Sequence, residues 1–407
     1  MNDNKLKLIL ILTTLLLSLA LSLQTKASEV LGTDEIPTES RTKKKSTPVF
    51  KKDLGQPTKI SAQNLDIPFK KNSWSFSQGS DYEYQDFENR KTLLLDGGTE
   101  ANLKEFKNGT IEVDIHANQK RSFAGISFRK QDDTMEEVYM RMHKSNQSDA
   151  VQYTPIFSWE SNWQLYPEHQ AAAGILQSAW NTLKIRVMGT LAKVYLNEKE
   201  VLLIDKLKID NGTGGISLFA LFGNQFSNFK VSHGEVLEIS KIAQKVTNNG
   251  NLITEWKLSK AFPFEPKNFE SGLRTENLGF NAAKTEPSGL LPISKFIEKP
   301  SKNGFENNQE DYVVAQLEIN SENSQDKKFS FDYSDRCIVY LNGKEIFRGN
   351  NAFRSKGPQF QGHLGIDGNT LSLPLQKGKN ILDIVVIEKA NGWGLTGKFN
   401  ETSGLRF

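Results

Sequence analysis

Tyr139, Arg141 and His143 alternate with Val138, Met140 and Met142 across residues 137–143. Period two is the geometry of a strand with one face in a core. The other face then carries an aromatic ring, a guanidinium with five donors and an imidazole. The chain goes on to supply Gln152, Tyr153, Trp159, Trp163, Gln164 and Tyr166, and Arg129 stands on the strand before. Fixed polar donors beside flat rings suit a hydroxylated, partly apolar ligand. Arg129, Tyr139, Arg141, His143, Gln152, Trp163, Gln164 and Tyr166 form the candidate ligand-binding set. His143 titrates near neutral pH and is the catalytic candidate, as a general base. A wet structural histidine is the competing reading. Trp159, Trp163 and Tyr166 are candidates to stack on sugar rings, with one of the three expected in the core.

Carboxyl chemistry is thinner. Glu112-Val-Asp-Ile-His-Ala117 places Glu112 and Asp114 on one strand face. A glucanase strand of the Glu-x-Asp-x-x-Glu kind needs a further glutamate where Ala117 stands, so that two-carboxylate site is absent. Glu136 and Glu137 read as part of a solvated turn. The histidines are His116, His143, His169, His233 and His363, none in paired metal-ligand spacing. Asp132-Asp133 could contribute to a Ca²⁺ loop, but hard cations need six or more oxygens, and an acidic turn is the alternative. No resident metal or cofactor is expected. Phosphate loops, dinucleotide fingerprints and Gly-x-Ser-x-Gly elbows do not occur. Cys337 is the single cysteine, so no intrachain disulfide forms; it lies in a strand-like run and reads as a small buried hydrophobe.

A second set lies late in the chain. Asn351, Arg354, Glu388 and Trp393 could line a loop-end site or merely structure the loops. Asn391-Gly-Trp-Gly394 is turn-rich, so Trp393 is expected to be exposed.

The elements that must position these residues are short strands. From residue 59 to 233 they recur at 92–95, 110–115, 125–129, 137–143, 156–158, 182–187, 192–196, 201–204, 215–219 and 226–231, broken by Gly97-Gly98, Asn108-Gly109 and Asn211-Gly-Thr-Gly-Gly215. A second run begins at 252–258 and continues at 312–320, 328–333, 337–341, 345–347, 370–373 and 380–388. Such spacing predicts an all-β chain of two tandem β-sandwich (jelly-roll) domains, at 59–235 and 251–407, with a linker at 236–250. Residues 269–308 are long and irregular, which marks either a functional loop or a plain insertion. Val194-Tyr-Leu-Asn-Glu-Lys-Glu-Val-Leu202 resembles Val339-Tyr-Leu-Asn-Gly-Lys-Glu-Ile-Phe347, and both predict hairpins.

Residues 1–27 read as an export signal. Lys5 and Lys7 precede an apolar stretch at 8–23, and Thr25-Lys26-Ala27 offers small residues before a cut at Ser28. Sixteen apolar residues are short for a spanning helix, so a membrane is expected only if this segment stays uncleaved. Residues 28–58 are polar, with Pro37, Pro48, Pro57 and Lys43-Lys44-Lys45, and read as a disordered tether. The chain carries 51 basic and 48 acidic residues. Without residues 1–27, which hold Lys5, Lys7, Lys26 and Asp3, 48 and 47 remain, a net of +1. That balance gives no electrostatic case for nucleic acid. The expected locations are therefore secreted, periplasmic or cell-surface.

Residues 59–233 resemble the concanavalin A-like, laminin-G-like sandwich domains of exported bacterial proteins, including the 3-keto-disaccharide hydrolase-like group. The carrying residues are Ala124-Gly-Ile-Ser-Phe-Arg129, Val138-Tyr-Met-Arg-Met-His143, Gln152-Tyr-Thr-Pro-Ile-Phe157, Trp163-Gln-Leu-Tyr166, Ser217-Leu-Phe-Ala-Leu-Phe-Gly223 and Phe226-Ser-Asn-Phe-Lys230. Residues 251–407 resemble galactose-binding-like jelly-roll modules, through Tyr333-Ser-Asp-Arg-Cys-Ile-Val-Tyr-Leu-Asn-Gly-Lys344 and Asn391-Gly-Trp-Gly-Leu395. The resemblance implies fold more than activity. Its leading implication is an exported protein that binds a polysaccharide or glycoconjugate through the first sandwich. A glycoside-active enzyme using Arg129, Arg141, His143 and a loop carboxylate, and an adhesion or envelope module that binds protein, are the alternatives.

Overall fold

The computed structural model describes residues 63–118, 120–209, 212–234, 236, 250–301 and 308–407. The export signal, the tether at 28–58 and most of the linker at 236–250 lie outside the described residues. The described chain is nearly all β, as the strand spacing predicts; its only helical segments are five 3-10 turns. None of its helices is long and apolar enough to cross a membrane.

The first core is built from β1 (Gln63–Ile67), β2 (Trp74–Phe76), β3 (Asp81–Phe87), β4 (Arg90–Ala101), β5 (Gly109–Ala117), β6 (Phe123–Gln131) and β7 (Thr134–Arg141). It continues with β8 (Val151–Phe157), β9 (Glu160–Ser161), β10 (Gln170–Ala171), β11 (Ala179–Met188), β12 (Leu191–Leu196), β13 (Lys199–Ile204) and β14 (Gly215–His233). β14 is the spine. Its first half pairs with β6 and its second half with β5, while β4 runs beside both halves. The sheet therefore branches, with β6–β7–β8 on one arm and β5–β11–β12–β13 on the other. The arms close over each other because each is apolar on one face. Ala124, Ile126, Phe128, Val138 and Met140 meet Ile111, Val113, Ile115, Leu183, Ile185 and Val194 in one buried cluster. Burying each such large side chain contributes about 1.5–3 kcal/mol. β5 shows the cause most clearly: burial alternates residue by residue along all nine positions.

The branch point is a bend. β14 slips register between Ala220 and Asn224, with Phe222 at φ 69° and Gly223 at φ 72°. β4 bends alongside at Gly97-Gly98. Gly97 holds φ 124°, and a Cβ there would sit 2.4 Å from Ser80 Oγ, so only glycine fits.

The second core lies between two further sheets. β15 (Glu255–Leu258), β16 (Phe262–Pro263), β17 (Asn281–Lys284), β18 (Leu290–Pro292), β19 (Asp311–Ser321), β20 (Gln325–Tyr333) and β21 (Arg336–Leu341) lead into β22 (Lys344–Asn350), β23 (Asn369–Leu375), β24 (Gly378–Glu388), β25 (Gly394–Phe399) and β26 (Leu405–Arg406). The larger sheet runs β17-β15-β19-β24-β21-β22, and the smaller β18-β25-β20-β23. Trp256, Ile319, Phe329, Phe331, Val339, Ile384 and Trp393 fill the space between them, and Cys337 is buried there. The irregular stretch at 269–308 is largely cover. Phe269, Leu273, Leu278 and Phe280 pack with Phe264 on the outer face of the larger sheet, over Val314, Ile338, Tyr340 and Val385. Residues 302–307 of that stretch lie outside the described residues.

Both predicted hairpins form. β12–β13 turns at Asn197-Glu198 (φ 50° and 64°), and β21–β22 at Asn342-Gly343 (φ 51° and 78°). Two consecutive left-handed residues are the twist-matched hairpin turn. Each hairpin also slips register at the same Val-Tyr pair, Val194/Tyr195 and Val339/Tyr340.

Candidate functional site

Arg141 ends β7 and is 7% exposed. One guanidinium nitrogen donates to Asp149 Oδ2 at 2.5 Å; the other donates to Gln152 Oε1 at 2.6 Å and to Tyr139 Oη at 3.1 Å. Its carbon lies 5.2 Å from the Trp163 ring and 5.5 Å from the Tyr139 ring. Gln152 in turn donates to the Trp163 carbonyl at 3.1 Å. Alternation puts Tyr139, Arg141 and His143 on one face, and the structure brings the first two together with Gln152 and Trp163. A buried guanidinium needs its charge answered, and Asp149 and Gln152 answer it at the two terminal nitrogens, while Nε has no hydrogen-bond partner among the described residues.

The same residues are covered by the second sandwich. Trp163 donates its indole N–H to Asn391 Oδ1 at 3.1 Å and meets Phe353 and His363 edge-on, each at 5.8 Å. Gln164 donates to the Gln361 carbonyl at 2.7 Å. Tyr166 donates to Glu286 Oε1 at 2.8 Å, and Lys208 reaches Glu286 Oε2 at 2.6 Å. Leu165 packs with Tyr166, Leu290 and Leu364. Asn162 accepts from Ser294. Trp163, Gln164 and Tyr166 are thus parts of an inter-sandwich seam. Of the three aromatic candidates, two are buried and only Trp159 is exposed, whereas one buried ring was expected.

Arg129 does not join this face. It sits in a register slip at φ 53°, turns to the sandwich edge, and donates to the Lys107 and Gly189 carbonyls at 2.8 and 2.6 Å. The register slip after Phe128 turns it away from the face of Arg141, where its place on the neighbouring strand puts it in the sequence reading. His143 is not on a strand either, because β7 ends at Arg141 and residues 142–144 form a 3-10 turn. Its half-buried ring meets Phe123 edge-on at 5.3 Å. Burial holds its pKa below the usual histidine value, and nearby Arg121, Lys144 and Arg141 push the same way.

The late set does not form a pocket. Trp393 is 2% exposed and donates to the Val386 carbonyl at 3.2 Å, so the glycine-rich turn folds it inward. Glu388 is buried with Oε1 accepting from the Gly392 N–H at 3.2 Å, and burial beside Asp335 holds its carboxyl far above the ordinary range. Asn351 is buried and donates to Asp332 Oδ1 at 2.7 Å. Only Arg354 is exposed, over the Phe353 ring.

Glu136 and Glu137 contradict the solvated-turn reading. β7 begins at Thr134, and the turn is only Asp132-Asp133, where Asp133 accepts from the Thr134 hydroxyl at 3.2 Å. Glu136 points into the core, accepting from Tyr153 Oη at 2.5 Å and the Ile209 N–H at 2.8 Å. Glu137 points the other way. It shares the outer face with Tyr139 and Arg141, the face of β6–β7–β8 not used by the core. Thr154, Glu137, Ser127, Ser217 and Glu100 are register partners across β8, β7, β6, β14 and β4. The next row along the strands is Gln152, Tyr139, Gly125, Phe219 and Gly98. Gly125 makes room: a Cβ there would lie 2.6 Å from Tyr139 Cβ.

The first of these rows has unusual chemistry. Ser127 Oγ donates to Glu137 Oε2 at 3.0 Å. Burial pushes the Glu137 carboxyl up to about 7, with the Ser127 bond opposing. Ser217 is buried, and its hydroxyl has no hydrogen-bond partner among the described residues. Glu100 is held by Lys130 Nζ at 2.5 Å, and that ammonium lies 5.8 Å from the exposed Trp159 ring. Among the described residues no three His, Cys, Asp or Glu side chains gather to hold a metal.

On the other arm two carboxylates are paired with cations. Glu112 pairs with Lys184 at 3.0 Å and Asp114 with Arg90 at 2.7 Å, while Ala117 is in the core. A groove of about 450 Å³ over this other arm is lined by Asn64, Asp66, Glu112, Lys184 and Lys230 among others. A second, of about 280 Å³, lies by Phe264, Arg336 and Ile338 in the second sandwich.

Residues 96–232 match the family model of the 3-keto-alpha-glucoside-1,2-lyase-like domain. The matched span holds every residue of the outer face from Glu100 to Phe219. No curated protein matches the chain. Solved structures similar to it include the carbohydrate binding module CBM66 from Bacillus subtilis, at 15% identity and TM-score 0.30, covering 39% of this chain and 95% of that one. Another is a prokaryotic beta-1,3-1,4-glucanase (lichenase) derived from a mouse hindgut metagenome, at 10% identity and TM-score 0.32, covering 42% and 98%. A third is the galectin LEC-6 of Caenorhabditis elegans, at 12% identity and TM-score 0.26, covering 40% and 99%.

Glu137, Ser127, Ser217, Glu100 and Phe219 are what the sequence reading missed. One signal was available: Glu137 lies two residues before Tyr139 and four before Arg141, on the same strand face.

Proposed function

We propose that the outer face of β4, β14, β6 and β7 binds a carbohydrate. The observation that carries this reading is the row Glu137–Ser127–Ser217–Glu100, hydroxyls and carboxyls side by side on adjacent strands, with one buried hydroxyl left unpaired. A buried, unanswered hydroxyl is costly unless a ligand or water completes it. Phe219 and the exposed Trp159 supply ring surface for the apolar face of a sugar, and Lys130 and Glu100 supply charged hydrogen bonds. The family match over residues 96–232 supports the same reading. The proposal moves the site from Arg141 and Trp163, which are occupied by the seam, to the row beside them. Binding to an oligosaccharide array by wild type and by Glu137→Ala tests it. Loss of the wild-type signal in the variant is expected; equal binding by both overturns it.

A second reading has its own observation. A carboxyl that titrates near pH 7 is matched to proton transfer in either direction. In a 3-keto glycoside the ketone acidifies the C2–H bond. Glu137 would accept that proton, the C–H electron pair would form the C1–C2 double bond, and the C1–O bond would break. The departing alkoxide would then take up a proton. Incubation with 3-keto glycosides separates the readings: release of the alcohol, lost in Glu137→Gln, selects the enzyme, and binding without turnover selects the module.

Export is part of the proposal, as are tandem units at 59–235 and 251–407. Both rest on the sequence: the basic, apolar and small-residue order of residues 1–27, and the strand groups with their intervening break. The amino terminus of the secreted or membrane-associated protein tests export; Ser28 is the expected first residue.

A further inference from the structure

The outer face does not stop at the carboxyl row. Beyond Tyr139 and Phe219 it continues to Phe123, which faces Leu221 across β6 and β14. Phe222 follows, at the bend of β14. The rings form a chain: Phe219 to Tyr139 at 5.9 Å, Tyr139 to Phe123 at 6.3 Å, and Phe123 to Phe222 at 6.4 Å. Arg121 lies against the last two, its guanidinium carbon 5.3 Å from Phe123 and 5.2 Å from Phe222. Phe222 is 57% exposed and Leu221 49%.

An exposed aromatic at this point is conformationally expensive. Phe222 has φ 69°, a left-handed backbone that a bulky side chain avoids and that asparagine or glycine adopts readily. The geometry is also fixed. The Phe222 N–H donates to Asp96 Oδ1 at 3.0 Å, and Asn118 donates to the Gly223 carbonyl at 3.1 Å. A strained, rigid bend that holds a ring out in water is the kind of outlier from which a functional hypothesis follows. Successive same-face rows lie about 6.6 Å apart, so the carboxyl row and the Phe222 end are separated by two such steps, about 13 Å. One sugar cannot occupy both.

We propose that Phe222, with Phe123 and Arg121, is a second sugar subsite, so that the outer face takes a linear oligosaccharide chain rather than a single sugar or a disaccharide. The proposal rests on the reading that this face binds carbohydrate. The apolar face of a distal sugar lies on Phe222, and Arg121 donates to its hydroxyls.

The test is binding of the full chain to glucan, xylan and mannan oligosaccharides of one to six units. Phe222→Asn is the chosen variant because asparagine tolerates the left-handed backbone, so the fold is kept. Wild type is expected to bind hexasaccharides of one series at least tenfold more tightly than its disaccharide. Phe222→Asn should erase most of that preference and leave disaccharide binding unchanged, while Glu137→Ala should weaken all lengths alike. A wild-type preference that ends at the disaccharide, or one that survives in Phe222→Asn, overturns the second subsite and leaves the carboxyl-row site standing. No binding to any series by wild type overturns both.

Discussion

Trp163 donates its indole N–H to Asn391 Oδ1 at 3.1 Å, joining residues 228 positions apart in the chain. On one side of that bond the Trp163 ring lies over Arg141, and on the other it meets Phe353 and His363. The residues that looked most like a ligand cleft are the ones that clamp the two sandwiches together.

Trp163→Ala is therefore expected to act on stability. Removing a buried tryptophan typically costs about 3–5 kcal/mol, and here it also removes one of the two rings beside Arg141 and leaves Asn391 Oδ1 without the indole donor. Chemical denaturation followed by far-UV and tryptophan signals should show a loss of about that size. A variant as stable as wild type contradicts the clamp.

Arg141→Ala makes the complementary case. It strands Asp149, which is 3% exposed, without its strongest partner. Breaking a buried pair by removing one member costs about 3–5 kcal/mol. The expected result is a less stable protein whose sugar affinity, measured below its melting temperature, stays within a few-fold of wild type. Lost affinity at intact stability would return Arg141 to the site.

His169 should make the seam acid-sensitive. It is buried between Tyr153 and Tyr166, and burial lowers its pKa from 6.5 to about 4, with Lys208 adding to the effect. The unfolded chain binds a proton below about 6.5 that the folded chain refuses until about 4. Stability falls as pH drops through that window. His169→Gln should flatten this part of the stability–pH curve, and an unchanged slope contradicts the assignment.

Glu137 has the opposite sign. Its folded carboxyl is raised from 4.5 to about 7, so between those values the folded state holds a proton that the unfolded state has lost. Stability then falls as pH rises from about 4.5 to 7 and stays lower above. Glu137→Gln should be more stable than wild type at pH 8, by on the order of 2 kcal/mol, and equal to it below about pH 4.5. Thermal unfolding across pH 4–8 measures the difference.

Much of the fold was legible because a sheet with one wet face writes its period into the sequence, as at Gly109–Ala117. The branching of β14 was not, since Gly223, Asn224 and Gln225 interrupt its apolar residues and make one strand read as two, 215–219 and 226–231. The tie between Trp163 and Asn391 could not be read for a related reason: alternation says which way a side chain points, not what lies over it. Glu137 was hidden by its neighbours. Asp132 and Asp133 make the approach look like a long acidic turn, whereas Asp132 at φ 46° closes it in two residues and the strand starts at Thr134. Arg129 was misplaced by a register slip, which inverts the face without changing residue types.

The central claim is where the sugar sits. Hydroxyl-radical footprinting of the chain, with and without its tightest array oligosaccharide, tests it most directly. The account predicts protection of Trp159, Phe219 and Phe222 on the outer face. Protection confined to Leu65 in the groove of the other arm, or to Phe264 in the second sandwich, would contradict it.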